Sequence, residues 1–187
     1  MFLDSIPGHS DIKGYFRKII SEKRVPHAML FVGEDGAGSL ALALGLAASL
    51  QCQSPHDDQA CQQCPSCLKT NQNIHPDIHF AFPVIKKDKQ KREDTTSKDF
   101  LNEWRAFLAE SPNGDNNDWL NFIGGSDKNA NINVAECHTI IKNLGLKTYE
   151  GQYKIQIIWG AEHLGKEGNR LLKLIEEPTD NTVILLI

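Results

Sequence analysis

Two groups of residues in this chain have types and spacings that could do chemistry. The first is Cys52, Cys61, Cys64 and Cys67, a C-x8-C-x2-C-x2-C array. Four thiolates can close a tetrahedral shell around Zn²⁺ with no position left for water, which makes a structural rather than a catalytic metal site. The second is the run Ala28-Met-Leu-Phe-Val-Gly33-Glu-Asp-Gly36-Ala-Gly38, which reads as a buried strand entering a glycine turn, with the helix-like Ser39–Leu50 directly after it. Gly33 and Gly38 have the spacing of a phosphate-binding loop, in which the next residue is a lysine for the β/γ-phosphates and the one after it a hydroxyl for Mg²⁺. Here those positions are Ser39 and Leu40.

A second deficit accompanies the first. In P-loop ATPases a later strand ends in acids that hold the metal and polarise the attacking water. The matching strand here is Tyr153–Ile158, and the acidic pair falls on Trp159 and Gly160, or on Gly160 and Ala161 if the register slips by one. Glu162 is the acid nearby, past the strand tip. Without the lysine, the hydroxyl and the acids, nothing neutralises a triphosphate, so ATP turnover is not expected. Nucleotide binding without turnover is less excluded, because backbone N–H groups at a helix N-terminus remain.

The cysteines have other readings: two disulfides, four free thiols, or His56 replacing one sulfur. A reducing compartment disfavours disulfides. The spacing favours a zinc module over 52–67 that clamps a loop too polar to fold alone. Cys137 lies on a predicted helix and reads as a small core residue.

The composition bounds the partners. The 187 residues are 40% hydrophobic, enough for one domain with a real core, and the net charge is −4. That balance argues against a bulk electrostatic grip on nucleic acid. The basic cluster Lys86–Arg92 is followed by Glu93 and Asp94 and reads as a solvated loop. No apolar run reaches the length of a membrane span and no secretion signal opens the chain, so a cytoplasmic protein is expected. The apolar run Thr182–Ile187 reads as a buried central strand, an odd place for a domain to stop. A piece of a longer protein is the expectation.

Periodicity predicts helices over 11–23, with Ile12, Tyr15, Phe16, Ile19 and Ile20 on one face, and over 39–51, apolar nearly all round. A short helix starts near Pro65 and is stopped by Pro76. Strands are predicted at 28–32, 78–84, 153–158 and 182–187. Further helices cover 97–110, with Phe100, Trp104, Phe107 and Leu108 inward, and 134–146, with Val134, Ile140, Ile141 and Leu144 inward. A last helix at 166–177 is ended by Pro178. The Asn-, Gly- and Asp-rich stretch 111–131 reads as a long surface loop. Strands alternating with helices imply an α/β fold with a mostly parallel sheet covered on both faces. Residues 85–132 read as an insertion. His27 and His75, beside prolines, read as loop or cap residues. Glu176 and Glu177 end a helix, where acids are electrostatically disfavoured, which hints at a partner.

Together these residues resemble one family. Ile6-Pro-Gly-His9 precedes a helix; Arg24-Val-Pro-His27 leads into the glycine turn; the four-cysteine module follows the next helix; and His75-Pro-Asp77 follows the module. Tyr149-Glu-Gly-Gln-Tyr-Lys154 precedes the third strand, and Asn169-Arg-Leu-Leu-Lys-Leu-Ile-Glu-Glu-Pro178 is like the signature N-x-L-L-K-x-x-E-E-P. The chain is similar to the N-terminal part of the delta-prime subunits of bacterial DNA polymerase III, clamp-loader subunits of the AAA+ class. The resemblance covers about 1–84 and 132–187, and the middle segment departs from it.

The resemblance implies an AAA+ (RecA-like) P-loop domain over 1–187, incomplete at its C-terminal end, in a subunit that does not hydrolyse ATP on its own. Such a subunit sits in a hetero-pentameric ring between an ATPase subunit (gamma/tau) and the delta subunit. The ring loads the sliding clamp onto primer-template DNA. The trans-acting arginine, the lid and the C-terminal oligomerisation domain of the family would lie beyond Ile187. Two other readings stay open: a gamma/tau-like ATPase subunit, which needs Lys and Ser or Thr after Gly38 and an Asp-Glu pair near Trp159, and a zinc-dependent nucleic-acid-binding module.

Overall fold

In a computed structural model of the chain, residues 1–56, 58–87 and 91–187 are described. Asp88, Lys89 and Gln90 of the basic cluster lie outside them, as does Asp57 of the cysteine loop. The elements in order are α1 (Ser10–Ser21), β1 (Ala28–Leu30), α2 (Ser39–Gln51), α3 (Pro65–Asn71), β2 (Ile78–Ala81), α4 (Leu101–Glu110), α5 (Asn116–Phe122), α6 (Val134–Leu144), β3 (Lys154–Ile158), α7 (Leu172–Glu176) and β4 (Thr182–Leu186). Among the described residues no helix is long and apolar enough to cross a membrane.

The four strands form one parallel sheet in the order β1-β4-β3-β2. The apolar run at 182–186 is therefore central, as its composition predicts: a strand covered on both faces has no use for polar alternation. Alternate residues of β3 and β4 feed two cores. Ile155, Ile157, Val183 and Leu185 face the layer made by α1 and α2. Ile158 and Ile184 face α6 with Ile140, Leu144 and Cys137. Nearly every side chain of α2 is buried, so a helix apolar all round finds protein on every side.

Four local expectations need correction. In α1, Phe16 and Ile19 are buried, but Ile12 and Tyr15 are exposed. Lys13 takes the inner position instead, its Nζ donating to the Ile6 carbonyl, because the stretched alkyl stem can cover apolar surface while the ammonium reaches a carbonyl. In α6, Ile141 faces outward. The helix expected at 166–177 is a 3₁₀-type winding over Ala161–Leu171 followed by the five-residue α7. Gly165 sits there at φ 51°, ψ −135°, a break that the poor helix propensity of glycine permits. Glu176 and Glu177 are exposed. The fourth correction concerns 111–131. Far from being all loop, it contains α5, whose Trp119 is fully buried.

The two motifs His75-Pro-Asp77 and Tyr149-Glu-Gly turn out to be one device. The buried Asp77 carboxylate accepts the backbone N–H groups of Tyr149, Glu150 (2.9 Å) and Gly151 (2.7 Å), and so ties the start of β2 to the turn before β3. His75, also buried, accepts the Asp77 N–H at Nδ1, and Lys69 of α3 pairs with Glu150. Burial alone would raise the pKa of Asp77, but the three N–H donors and His75 outweigh it and hold the carboxyl below its usual range.

Asp77→Asn leaves those three donors facing a weaker, neutral acceptor, and we expect a loss of roughly 2–4 kcal/mol of unfolding free energy by urea titration. A carboxyl depressed on folding contributes its full stability above its unfolded pKa and loses it as pH falls through the folded one. The gap between wild type and Asp77→Asn should therefore be constant at neutral pH and close below about pH 4.

Candidate functional sites: a glycine-turn cleft and a four-cysteine cluster

Crossover helices leave one crevice free in an open parallel sheet, outside the carboxyl ends of the strands. Here it is a cleft of about 390 Å³. Gly33, Gly36, Gly38, Ser39 and Leu40 border it from the turn between β1 and α2, and Trp159 and Gly160 border it from the end of β3. Every residue that the sequence placed in a phosphate-loop or acid-strand position thus meets in one place.

The walls of that cleft are unsuited to an anion. Its ionisable lining consists of four carboxylate residues, Glu34, Asp35, Asp115 and Glu162, with no lysine or arginine among the described residues. A concentration of one sign in a cleft repels ligands of that sign. Leu40 is buried in the core, so its position offers no oxygen to a metal.

Trp159 is 7% exposed. Its ring lies 5.2 Å from Trp104 and 6.1 Å from Phe107, centroid to centroid. Its backbone N–H donates to the Ala81 carbonyl. Trp159, one of the positions expected for the acid pair in the first of the two registers, is part of an aromatic core built largely from α4 and α5. Trp104 stacks on Phe82 at 4.2 Å, and Trp119 meets Phe82 edge-on at 5.1 Å. The sequence reading of Trp104 and Phe107 as core of the helix at 97–110 agrees with this; that the core reaches Trp159 was not visible in it.

Sequence reasoning also missed one wall of the cleft. Pro112, Asn113, Gly114, Asp115 and Asn116, from the stretch read as free loop, border it. A signal was available: Asp115 and Asp118 form a capping box, each carboxylate accepting the other's backbone N–H, just ahead of Trp119 and Leu120. An acid pair three residues apart before an apolar pair marks a helix start, but the surrounding asparagines hid it.

The four cysteines lie at the other end of α2, about 20 Å from the glycine turn for a thirteen-residue helix. Their sulfurs all fall within 4.8 Å of one another, and Cys61 and Cys67 are 4.0 Å apart. Sulfurs at the corners of a tetrahedron with Zn–S bonds of 2.3 Å would stand about 3.8 Å apart, so the set fits a metal. None of the four is in a disulfide. His56 is not in the group; its backbone pairs with Gln59.

Local structure brings the thiols together. Cys64 caps α3, with Pro65 at the first helical position, and its sulfur accepts the Cys67 N–H. The Cys61 N–H points to the Cys52 sulfur and the Cys64 N–H to the Cys61 sulfur. Ser66 anchors α3 to the Gln51 carbonyl. Burial opposes ionisation of Cys64, yet the N–H groups of Cys67 and Gln53 outweigh it and hold the thiol down at about 6. Burial pushes Cys67, packed on Phe2 and Ala48, upward. Cys137 is a small buried core residue, its thiol 3.6 Å from the Glu167 carbonyl.

Residues 8–187 match the family described as DNA polymerase III, delta subunit. The chain is 27% identical to the DNA polymerase III subunit delta' of Bacillus subtilis over 90% of its own length and 38% of that protein's. For the delta' subunit of Haemophilus influenzae the figures are 26%, 86% and 36%. A gamma/tau subunit of DNA polymerase III from Mycoplasma pneumoniae is 31% identical over 59% of this chain and 14% of its own. The chain spans well under half the length of each of these relatives.

Trp159→Asp would bury a carboxylate against Trp104 and Phe107. We expect a loss of roughly 3–5 kcal/mol in urea unfolding, against less than about 2 kcal/mol for Trp159→Phe.

Proposed function

The chain belongs to the DNA polymerase III delta subunit family, and from that premise we propose that it is the ATPase-like domain of a non-catalytic clamp-loader subunit. In this reading it serves DNA replication as a rigid member of a ring. A gamma/tau ATPase subunit stands on one side and the delta subunit on the other, and the ring loads the sliding clamp onto primer-template DNA. The cleft keeps the position of a nucleotide site without its chemistry.

The observation that carries this reading is the cleft itself: four carboxylates, no lysine or arginine among the described lining residues, and a buried tryptophan at the end of β3. A P-loop enzyme works by cradling phosphates with a lysine and a metal. A triphosphate entering here would meet four carboxylates with no lysine or arginine among the described lining residues to offset them. The likeness to a gamma/tau subunit supports one alternative, an ATPase subunit with an aberrant site. Measuring turnover by the protein alone separates the two. We expect Mg²⁺-ATP hydrolysis at background level; turnover abolished by Gly38→Ala would favour the alternative.

The second part of the proposal is a structural zinc held by Cys52, Cys61, Cys64 and Cys67. When bound, it cross-links the loop after α2 to the start of α3. The N–H groups directed at the sulfurs of Cys52, Cys61 and Cys64 suit thiolates at those three positions. The site's distance from the cleft suits an architectural role.

Elemental analysis should find about one zinc per chain. Stripping it with a chelator, or Cys61→Ser, should lower the melting temperature by roughly 5–10 °C, from a loss of about 2–3 kcal/mol at this domain size.

A further inference from the structure

The segment between β2 and α6 has no role in the reading above, yet it is built over the cleft. Its ends are clasped where Val84 and Asn131 exchange both backbone hydrogen bonds, at 3.1 and 3.2 Å. Between them α4 and α5 form a hairpin across the carboxyl ends of β2 and β3, the place where open parallel sheets receive ligands. We propose that this hairpin is an intramolecular occupant of the cleft. It braces the glycine turn and shuts out triphosphate, whatever residues stand at 39 and 40. The inference rests on the reading of this cleft as a former nucleotide site.

Three sets of contacts support it. The hairpin is anchored from below: Trp104 stacks on Phe82 and packs against Trp159, and the Trp119 Nε1–H donates to the Pro83 carbonyl at 2.8 Å. Aromatic pairs of this kind add to the burial of their large surfaces, and a buried indole N–H is held to its partner. The hairpin's turn then reaches the glycines. A methyl group built on Gly38 would lie 3.8 Å from Asn113 Oδ1, and one on Gly36 3.9 Å from the Asn113 carbonyl.

The far side of the turn is tied as well. Asn116 Nδ2 lies 3.0 Å from His163 Nε2, on the segment that follows Trp159. The turn closes tightly on its own helix: a Cβ at Gly114 would fall 2.6 Å from Phe107 Cζ, so only glycine lets the chain pass there. Asp115 finally adds a carboxylate from the hairpin to those already lining the cleft. An active site needs room and positive charge at this spot; the hairpin walls off one side of the cleft and narrows the one, and its carboxylate opposes the other.

The test uses a fluorescent ATP analogue with Mg²⁺ and the complete protein in three forms. Ser39→Lys restores the missing cation alone. The second form adds Asn113→Gly and Asp115→Ser to it, clearing the mouth of the cleft while serine keeps the cap of α5. The third adds Trp119→Phe instead, which keeps the ring but loses the bond to Pro83. We expect little binding by Ser39→Lys and at least tenfold tighter binding by the triple variant, with Trp119→Phe in the same direction. Exchange of the amides of 33–38 should also quicken in the triple variant. Ser39→Lys binding as tightly as the triple variant, or the triple variant binding no better than Ser39→Lys, would overturn the inference. Binding of the analogue by the unaltered protein would also overturn the inference, since the hairpin would then be no barrier, whereas hydrolysis, measured separately, would overturn the non-catalytic reading.

Discussion

The aromatic contact between the α4–α5 hairpin and the carboxyl ends of β2 and β3 is the constraint on which the rest of the molecule depends. In a parallel sheet covered by helices, the strand ends form the one crevice that crossovers do not fill. Trp104, Phe107 and Trp119 press into that region against Phe82 and Trp159. Once Trp159 belongs to a hydrophobic core, the position cannot carry a hydrated metal-binding acid, because a buried charge without a partner is far more costly than a buried ring. The buried tryptophan at the end of β3 and the hairpin above it are two sides of one packing arrangement.

The opposite end of the sheet is held by polar clasps. Asp77 gathers three N–H groups from the turn before β3. Lys154, at the start of β3, donates from its buried Nζ to the Leu144 carbonyl at the end of α6, 2.8 Å away. A cation among the last carbonyls of a helix satisfies acceptors that the helix itself leaves free and complements its dipole. The cysteine cluster lies toward this end too, after α2, with Lys69 of α3 reaching Glu150 beside the Asp77 clasp. Chemistry-like features thus stand at the two ends of α2: a cleft at its start and a metal-capable cysteine cluster after its end.

Much of this was legible from residue order alone, for identifiable reasons. The central strand showed because its apolar run is unbroken, and the helix at 97–110 because Phe100, Trp104, Phe107 and Leu108 recur at helical spacing. The cysteine set showed because a C-x2-C pair places two sulfurs on one side of a tight turn. The glycine turn and its missing lysine showed because that motif is local. What failed was also physical. Ile12, Tyr15 and Ile141 have the right period but lie on the margin of a helix face, where neighbouring elements decide burial. The 166–177 segment reads as one helix, but it winds as 3₁₀ up to Leu171 and as α only from Leu172. Residues 111–131 looked like loop because asparagine and glycine dominate there, although one capping box and one tryptophan suffice to seat α5.

The sequence by itself determined the kind of fold, the order of its strands, the metal-capable cysteines and the residue types Ser39, Leu40, Trp159 and Gly160 beside the glycine turn and after β3, since each of these is written within a few neighbouring positions. Only the tertiary structure decided that Asp77 grips 149–151, that Trp159 is roofed by Trp104 and Phe107, and that Asn113 and Asp115 stand at the mouth of the glycine-turn cleft. Those contacts join residues from about forty to eighty positions apart, and no periodicity records which distant side chains the packing of a sheet and its covering helices will bring together.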